Sequence, residues 1–387
     1  MTALYSILHF LVDGVCAFSM FGYFAIQENW YVNILLYNFC AFAMQMPLGV
    51  VLDGLNGRRK QQKYECSFVF AVLGVALTLI GAFMHPVVLG LGNALFHLGG
   101  GVGVIHEDEA NGWRGRGLGV FVAPGALGLY IGTQLVKNSI TSGWAVLIPV
   151  GVFMFCCLLC GMQVLRRRDM AQRQEANAGG QAKKCRKAEN DKDRKQTIPE
   201  HSANSSLWLI VGCVSVVILR SYIGMAVGFS WKTTLLAGII AVLAVVLGKV
   251  AGGFAAAGFG ASRTVVVSLG LAAVCYLFSG NIFAGVLALF FFNMTMPVTL
   301  YMLVQKLKGL PGFSFGLLTF GLFLGFLPVY LDMKLPIDGR LLGCAGSLVS
   351  MVILWLCVHK RDNKSGLQAL KEAQTENMSE SDTQEVS

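Results

Sequence analysis

The chain has 387 residues, 55% of them hydrophobic and 13% charged, with a mean hydropathy of +0.63 and a formal net charge of +9. A soluble domain carries about 25% charged residues, so a chain this apolar needs lipid as part of its solvent. Its basic residues sit in short gaps between apolar runs and not across a surface, which excludes nucleic acid as the expected partner and reads as membrane topology.

Apolar runs fall at 3–26, 31–52, 66–84, 86–105, 117–136, 144–165, 207–230, 233–255, 264–280, 282–304, 313–331 and 340–358. A spanning helix needs about 20 apolar residues, so these twelve runs are predicted to be transmembrane helices, α1 to α12 in chain order. The N-terminus lacks the basic segment and small-residue cleavage site of a removable signal peptide, so α1 is expected to remain. Of the eleven cysteines, Cys16, Cys40, Cys156, Cys157, Cys160, Cys213, Cys275 and Cys357 lie within apolar runs, and no metal-ligand spacing with histidine accompanies them. They read as packing residues; neither a metal nor a cofactor is expected.

The gaps after even-numbered helices and the tail carry Arg58, Arg59, Lys60, Lys63, Arg114, Arg116, Arg263, Lys306, Lys308, Lys360 and Arg361. The other gaps carry only Lys137, Lys232, Lys334 and Arg340. The positive-inside rule then predicts both termini in the cytoplasm of a multi-pass protein, and the short loops fit a bacterial inner (plasma) membrane. Segment 166–206 holds eleven Lys and Arg and almost no large apolar residue. It reads as a flexible basic cytoplasmic linker, as does the polar tail 360–387, and its alternative use is contact with anionic lipid or a partner. The linker separates a six-helix bundle at 1–165 from a second at 207–359.

The two halves echo each other. After α2 comes Gly49-x3-Asp53-Gly-Leu-Asn56-Gly57-Arg58-Arg59-Lys60; after α8 comes Gly253-x3-Ala257-x2-Gly260-x2-Arg263. In α5, Gly119, Pro124, Gly125 and Gly128 have their counterpart in α11 in Gly316, Gly321 and Gly325. Such internal symmetry characterises transporters built from two related bundles around a binding site near the midplane.

The Gly49, Asp53, Arg58, Arg59 segment resembles the loop 2–3 motif of major facilitator superfamily transporters. The resemblance implies an all-α membrane fold of twelve helices in two pseudo-symmetric bundles. It also implies a latch in which Asp53 and the basic residues after it make charge contacts. His9-x3-Asp13 in α1 and Gly92-Asn93-Ala-Leu-Phe96-His97 in α4 resemble the fosmidomycin-resistance branch of efflux transporters within that superfamily. Leu98 stands where that branch has proline. Pro124-Gly125 resembles the α5 motif of antiporters and implies a gating bend.

An ionisable group at mid-bilayer costs roughly 2.5–3.5 kcal/mol, so each requires a reason. Asp13, His97, Arg220 and Asn293 fall near the middles of α1, α4, α7 and α10, the helices that line the central cavity in that superfamily. His9 is one turn from Asp13 on the same face. Asp13 and Arg220 occupy similar places in the two halves and are expected to approach each other, as a fixed structural pair or as a site. In the second case Asp13, with His9 or His97, takes a proton while Arg220 holds an anionic group of the substrate. Each histidine alone fits a packing role equally. Lys249 and Gln45 occupy equivalent places near the ends of α8 and α2, and Lys249 is expected to snorkel to the interface. Asn293 with Thr295 and Pro297 makes a polar, kinkable α10. His106-Glu107-Asp108-Glu109, close to Arg114 and Arg116, reads as a local salt-bridged loop.

The expected function is secondary transport of a small molecule by a monomer, proton-coupled and leaning towards efflux, with no enzymatic activity. Facilitated passage or import of an organic anion, a non-transporting sensor or scaffold, and a membrane-embedded enzyme are the alternatives. No Gly-x4-Gly-Lys-Ser loop is present to power an ATP-driven pump.

Overall fold

A computed structural model describes residues 1–58, 63–138, 143–183, 203–333 and 335–357. All of the regular structure is helical, and every predicted run is a helix: α1 Thr2–Phe24, α2 Trp30–Gly57, α3 Glu65–Met84, α4 Pro86–Ala110, α5 Arg116–Lys137, α6 Gly143–Lys183, α7 Ala203–Ala226, α8 Leu235–Phe259, α9 Ala261–Leu277, α10 Ile282–Lys306, α11 Pro311–Tyr330 and α12 Gly339–Cys357. Eleven are long and apolar enough to cross a membrane; α9, with 17 residues, is shorter. Large apolar side chains such as Trp144, Phe153, Leu236, Val267 and Phe283 are exposed on the outside of the bundle, as a protein solvated by lipid requires.

Two features depart from the expected linker. α6 continues as helix through Lys183, and α7 begins at Ala203, so much of segment 166–206 is helical. Its Arg, Gln, Ala and Glu are good helix formers by intrinsic propensity. Residues 184–202, like the tail beyond 357, lie outside the described residues.

The packing order repeats between the halves. In the first half α1 packs on α5, α3 on α4 and α2 on α4; in the second, α7 packs on α11, α9 on α10 and α8 on α10. Two further pairs join the halves, α2 with α11 and α5 with α8. Of the glycines recognised as a sequence repeat, Gly49, Gly119, Gly253 and Gly316 sit at these junctions. A methyl group at Gly49 of α2 would overlap the backbone of Gly312 in α11, and one at Gly253 of α8 would press on Gly119 of α5. Small residues permit this backbone approach where no water competes for the contact.

At the same level Asp53 accepts hydrogen bonds from the backbone amides of Gly312 (2.8 Å) and Phe313 (2.7 Å), at the start of α11 behind Pro311. A carboxylate there satisfies orphan amides and meets the positive end of the helix dipole. Asp53 therefore caps a helix of the opposite half. Arg59, expected to share the latch, lies outside the described residues, as does the side chain of Arg58. The second copy of the motif has Ala257 in place of the aspartate, and α5 is capped from its own half instead. Asp108 accepts from the amides of Gly115 (2.7 Å) and Gly117 (2.8 Å).

The 106–109 segment thus corrects the expectation of a local salt-bridged loop. It belongs to α4, and Glu107 works at long range: it accepts from the amide (2.6 Å) and hydroxyl (2.7 Å) of Thr2, and pairs with the N-terminal ammonium (3.3 Å) and Arg168 (2.5 Å). One carboxylate ties the ends of α1, α4 and α6 together.

Asp53→Ala is expected to destabilise the protein by about 1–3 kcal/mol, the range for losing charge-assisted caps. Its melting temperature in detergent should fall below wild type, with Asp53→Asn between the two. An unchanged melting temperature for Asp53→Ala would show that the junction does not rely on this cap.

Candidate functional site

The centre of the molecule is organised by a break in α5. The helix stops at Val122, bends at Ala123 and restarts at Pro124. Pro124 has no N–H to offer the Val120 carbonyl, and the final carbonyls of a helical segment lack intrahelical partners. Three successive carbonyls are taken up by side chains instead. Val120 lies 3.3 Å from the Ser6 hydroxyl, whose single proton it shares with the Thr2 carbonyl at 2.8 Å, Phe121 meets His9 Nδ1 (2.7 Å), and Val122 accepts from Lys249 Nζ (3.1 Å). The first two come from α1 and the third from α8, so the break draws both halves to one place.

His9, Asp13 and His97 gather there, as the i, i+4 spacing and the mid-helix position of His97 foretold. His9 Nε2 lies 3.2 Å from Asp13 Oδ2, His97 Nε2 lies 3.5 Å from Asp13 Oδ1, and the two Nε2 atoms are 2.9 Å apart. His97 Nδ1 is 2.8 Å from the Asn93 carbonyl, and the Asn93 amide donates to Asp13 Oδ1 at 3.1 Å. Asn93 belongs to the α4 segment quoted for its resemblance, yet its bond to Asp13 was not anticipated. Gly125, just past the break, leaves the room the cluster occupies. A methyl group there would overlap His9 Nε2 and Asp13 Oδ2.

These contacts determine where protons sit. A carbonyl only accepts, so both Nδ1 atoms must carry hydrogen. Two neutral rings would then face each other lone pair to lone pair across 2.9 Å. A single additional proton between the Nε2 atoms converts that repulsion into an N–H···N bond, and the resulting positive charge lies beside the Asp13 carboxylate.

No metal was expected, but the three groups offer ligand atoms within 4.8 Å of one another. The distances decide what they suit. Zinc–nitrogen bonds of about 2.0–2.1 Å at a tetrahedral angle hold two nitrogens roughly 3.3 Å apart. The observed 2.9 Å is the length of a hydrogen bond, so the arrangement fits a shared proton better than a bound ion.

Arg220 is placed differently from expectation. Asp13 spends its oxygens on His9, His97 and Asn93, and it forms no ion pair with Arg220. Arg220 is 8% exposed, and its Nε has no hydrogen-bond partner among the described residues. It faces a pocket between the halves lined by Val122 of α5, Val217 of α7, Met296 and Thr299 of α10, and Phe315 and Thr319 of α11. Asn293 is not among the lining residues; its amide donates to the Leu289 carbonyl (2.8 Å) one turn back in α10, next to the interruption at Met294. Thr299, also in α10, does reach the pocket.

Lys249 is the functional residue that sequence reasoning misses. It is expected to snorkel, but it is 9% exposed, points inward to the Val122 carbonyl, and lies within electrostatic range of Arg220, Asp13 and His97. Close packing of α8 on α5 through Gly253 and Gly119 carries it there. The signal is its position one turn from Gly253, which matches that of Gln45 relative to Gly49; Gln45 is likewise buried, its amide donating to the Ala41 carbonyl one turn back in its own helix (2.6 Å).

No protein-family profile and no curated protein matches the chain by sequence. Solved structures do match it over nearly its whole length. FucP, a major facilitator superfamily transporter known as the E. coli fucose:proton symporter, is similar in its outward conformation with a TM-score of 0.56 at 12% identity, covering 93% of this chain and 98% of that one. A bacterial homologue of the iron transporter ferroportin, in its outward-facing state, gives 0.55 at 13% identity, covering 92% and 99%. The human organic anion transporter MFSD10 (TETRAN) gives 0.56 at 11% identity, again covering 92% and 99%. Identities this low speak to architecture alone. Twelve helices in that order, eleven of them of spanning length and apolarity, and agreement over whole chains make this a multi-pass membrane protein with the major facilitator superfamily transporter fold.

Proposed function

We propose that the chain is a proton-coupled secondary transporter of a small molecule that works by alternating access. One observation carries the reading: His9 and His97 bring two ring nitrogens within 2.9 Å of each other beside the Asp13 carboxylate, inside a bundle where an ionisable group is otherwise a cost. A proton site beside the Arg220 pocket gives two ligands a shared centre, as coupled transport requires.

Alternating access needs contacts that can open at either end. The α2–α11 and α5–α8 pairs supply them. At the basic end stand Gly49 against Gly312, the Asp53 cap, and Gly119 against Gly253. At the other end, Tyr31 stacks on Tyr330, whose hydroxyl donates to the Tyr31 carbonyl (2.6 Å), and the Tyr130 hydroxyl donates to the Leu235 carbonyl (3.1 Å). Pro124 and Gly125 lie midway, where a hinge in α5 would couple the gates to the proton cluster. In this reading Asp53, Arg58 and Arg59 latch the cytoplasmic side, where both termini lie, in a bacterial inner membrane. Efflux follows from the resemblance of the α1, α4 and α5 motifs to the fosmidomycin-resistance branch.

The test is flux in proteoliposomes under an imposed pH gradient, with substrates taken from drug-sensitivity and uptake screens of overproducing cells. Wild type should accumulate substrate against its gradient; Asp13→Asn should insert normally and lose uphill transport. If Asp13→Asn drives uphill transport as wild type does, coupling at this cluster is refuted.

Gly125→Ala should produce the same loss, because the added methyl displaces His9 and Asp13. Gly321→Ala, in the matching segment of α11, should retain coupling, because a methyl there would stand 3.5 Å from its nearest neighbours. Equal behaviour of the two alanine variants in the same flux assay would remove the cluster's geometry from the mechanism.

A further inference from the structure

We propose that Arg220 and Lys249 together form an anion-binding site, and that the transported molecule is an organic anion with one oxyanion head, carboxylate or phosphate, on an apolar body. The inference deepens the transporter reading and rests on it for the word transported; the binding site stands on its own geometry.

Charge comes first. Three groups enclosed near the centre are formally charged whatever the histidines do: Asp13, Lys249 and Arg220. Asp13 is engaged by His9, His97 and Asn93. The Arg220 guanidinium forms no ion pair among the described residues, and the Lys249 ammonium has the Val122 carbonyl as its hydrogen-bond partner. With neutral histidines the centre carries one net positive charge, and with the shared proton it carries two. Removing an unpaired guanidinium from water is expensive, and a partner that brings an anion with it offsets that cost. Arginine also presents a planar fork suited to carboxylate or phosphate, while the lysine offers spare donors on a flexible stem.

Shape comes second. The pocket at Arg220 has hydroxyls at Thr299 and Thr319 beside apolar walls of Val217, Met296 and Phe315. Both threonine hydroxyls donate to carbonyls of their own helices, Thr299 to Thr295 (3.1 Å) and Met296 (2.9 Å), Thr319 to Gly316 (2.9 Å), so the walls impose little polar demand of their own. One charged anchor within an apolar enclosure selects a molecule of the same make-up. Lys249 adjoins this pocket through its bond to the carbonyl of Val122, a lining residue, and the neighbouring Phe121 carbonyl is the one that meets His9 of the proton cluster.

The experiment measures thermal stability of the purified full chain in detergent against benzoate and phenyl phosphate, with benzamide and benzylamine as neutral and cationic controls of the same body, and inorganic phosphate as a bare head. Benzoate or phenyl phosphate should raise the melting temperature with concentration, as a ligand of the folded state does, and the controls should not. Arg220→Gln and Lys249→Met should abolish the rise. Arg220→Gln should also melt higher than wild type when no anion is present, whereas a structural arginine would lower it. Arg220→Lys should retain a weaker rise.

The site is overturned if the two acids stabilise wild type no more than they stabilise Arg220→Gln and Lys249→Met, or if benzamide and benzylamine stabilise it equally. A rise given by inorganic phosphate alone would overturn the apolar body and mark a simple phosphate site. Anion-dependent stabilisation without pH-driven flux would leave the anion site standing and refute transport, so the two failures are distinguishable.

Discussion

Everything at the centre of this molecule follows from the rule that a backbone carbonyl inside a membrane must find a donor. Pro124 interrupts α5 and leaves the carbonyls of Val120, Phe121 and Val122 to side chains. Ser6 and His9 answer from α1 and Lys249 from α8. The bond to Phe121 fixes the tautomer of His9, and with it which nitrogen faces His97. The bond to Val122 holds a lysine inside the protein that would otherwise reach for the interface. A proline thus sets the ring orientation of one neighbour and the position of another.

Around that break the glycines set distance. Gly125 admits the carboxylate and the ring, while Gly49 and Gly253 let the halves meet along α2–α11 and α5–α8. The helix starts at these junctions are capped by carboxylates of different origin. Asp53 reaches across to α11, and Asp108 serves α5 from within its own half. The architecture is symmetrical while the covalent source of each cap is not, which accounts for Ala257 where a strict repeat would have aspartate. A cap that crosses between halves can break when they part, and one made within a half travels with it.

The proton cluster and the cationic pocket are neighbours without being paired. An ion pair between Asp13 and Arg220 would have cancelled both charges and left the centre inert. Asp13 committed to two histidines and Arg220 left facing a pocket keep each available to a different ligand, with Lys249 in range of both. That separation is what the proposed coupling of proton and anion draws on.

The helices were legible in the amino-acid order, since runs of about 20 apolar residues cross a bilayer as helix, and each predicted run is helical, to within a few residues at most ends, with α9 alone among the described helices short of spanning length. So was the companionship of His9 and Asp13, because residues four apart share a helix face, and so were the glycine junctions, through their repetition. Whatever depends on which helix faces which was not. Lys249 reads as an interfacial lysine because hydropathy records depth along a helix and nothing about rotation around it; packing of α8 on α5 turns it inward. Arg220 lost its expected partner because the histidines, one of them 88 residues away from the other, reach Asp13 first. Glu107 looks local beside Arg114 and Arg116, and the fold brings Thr2 and Arg168 to it instead. Local spacing is written in the chain, but the partner of a buried charge is chosen by tertiary contact, because in a bundle without water the nearest donor wins.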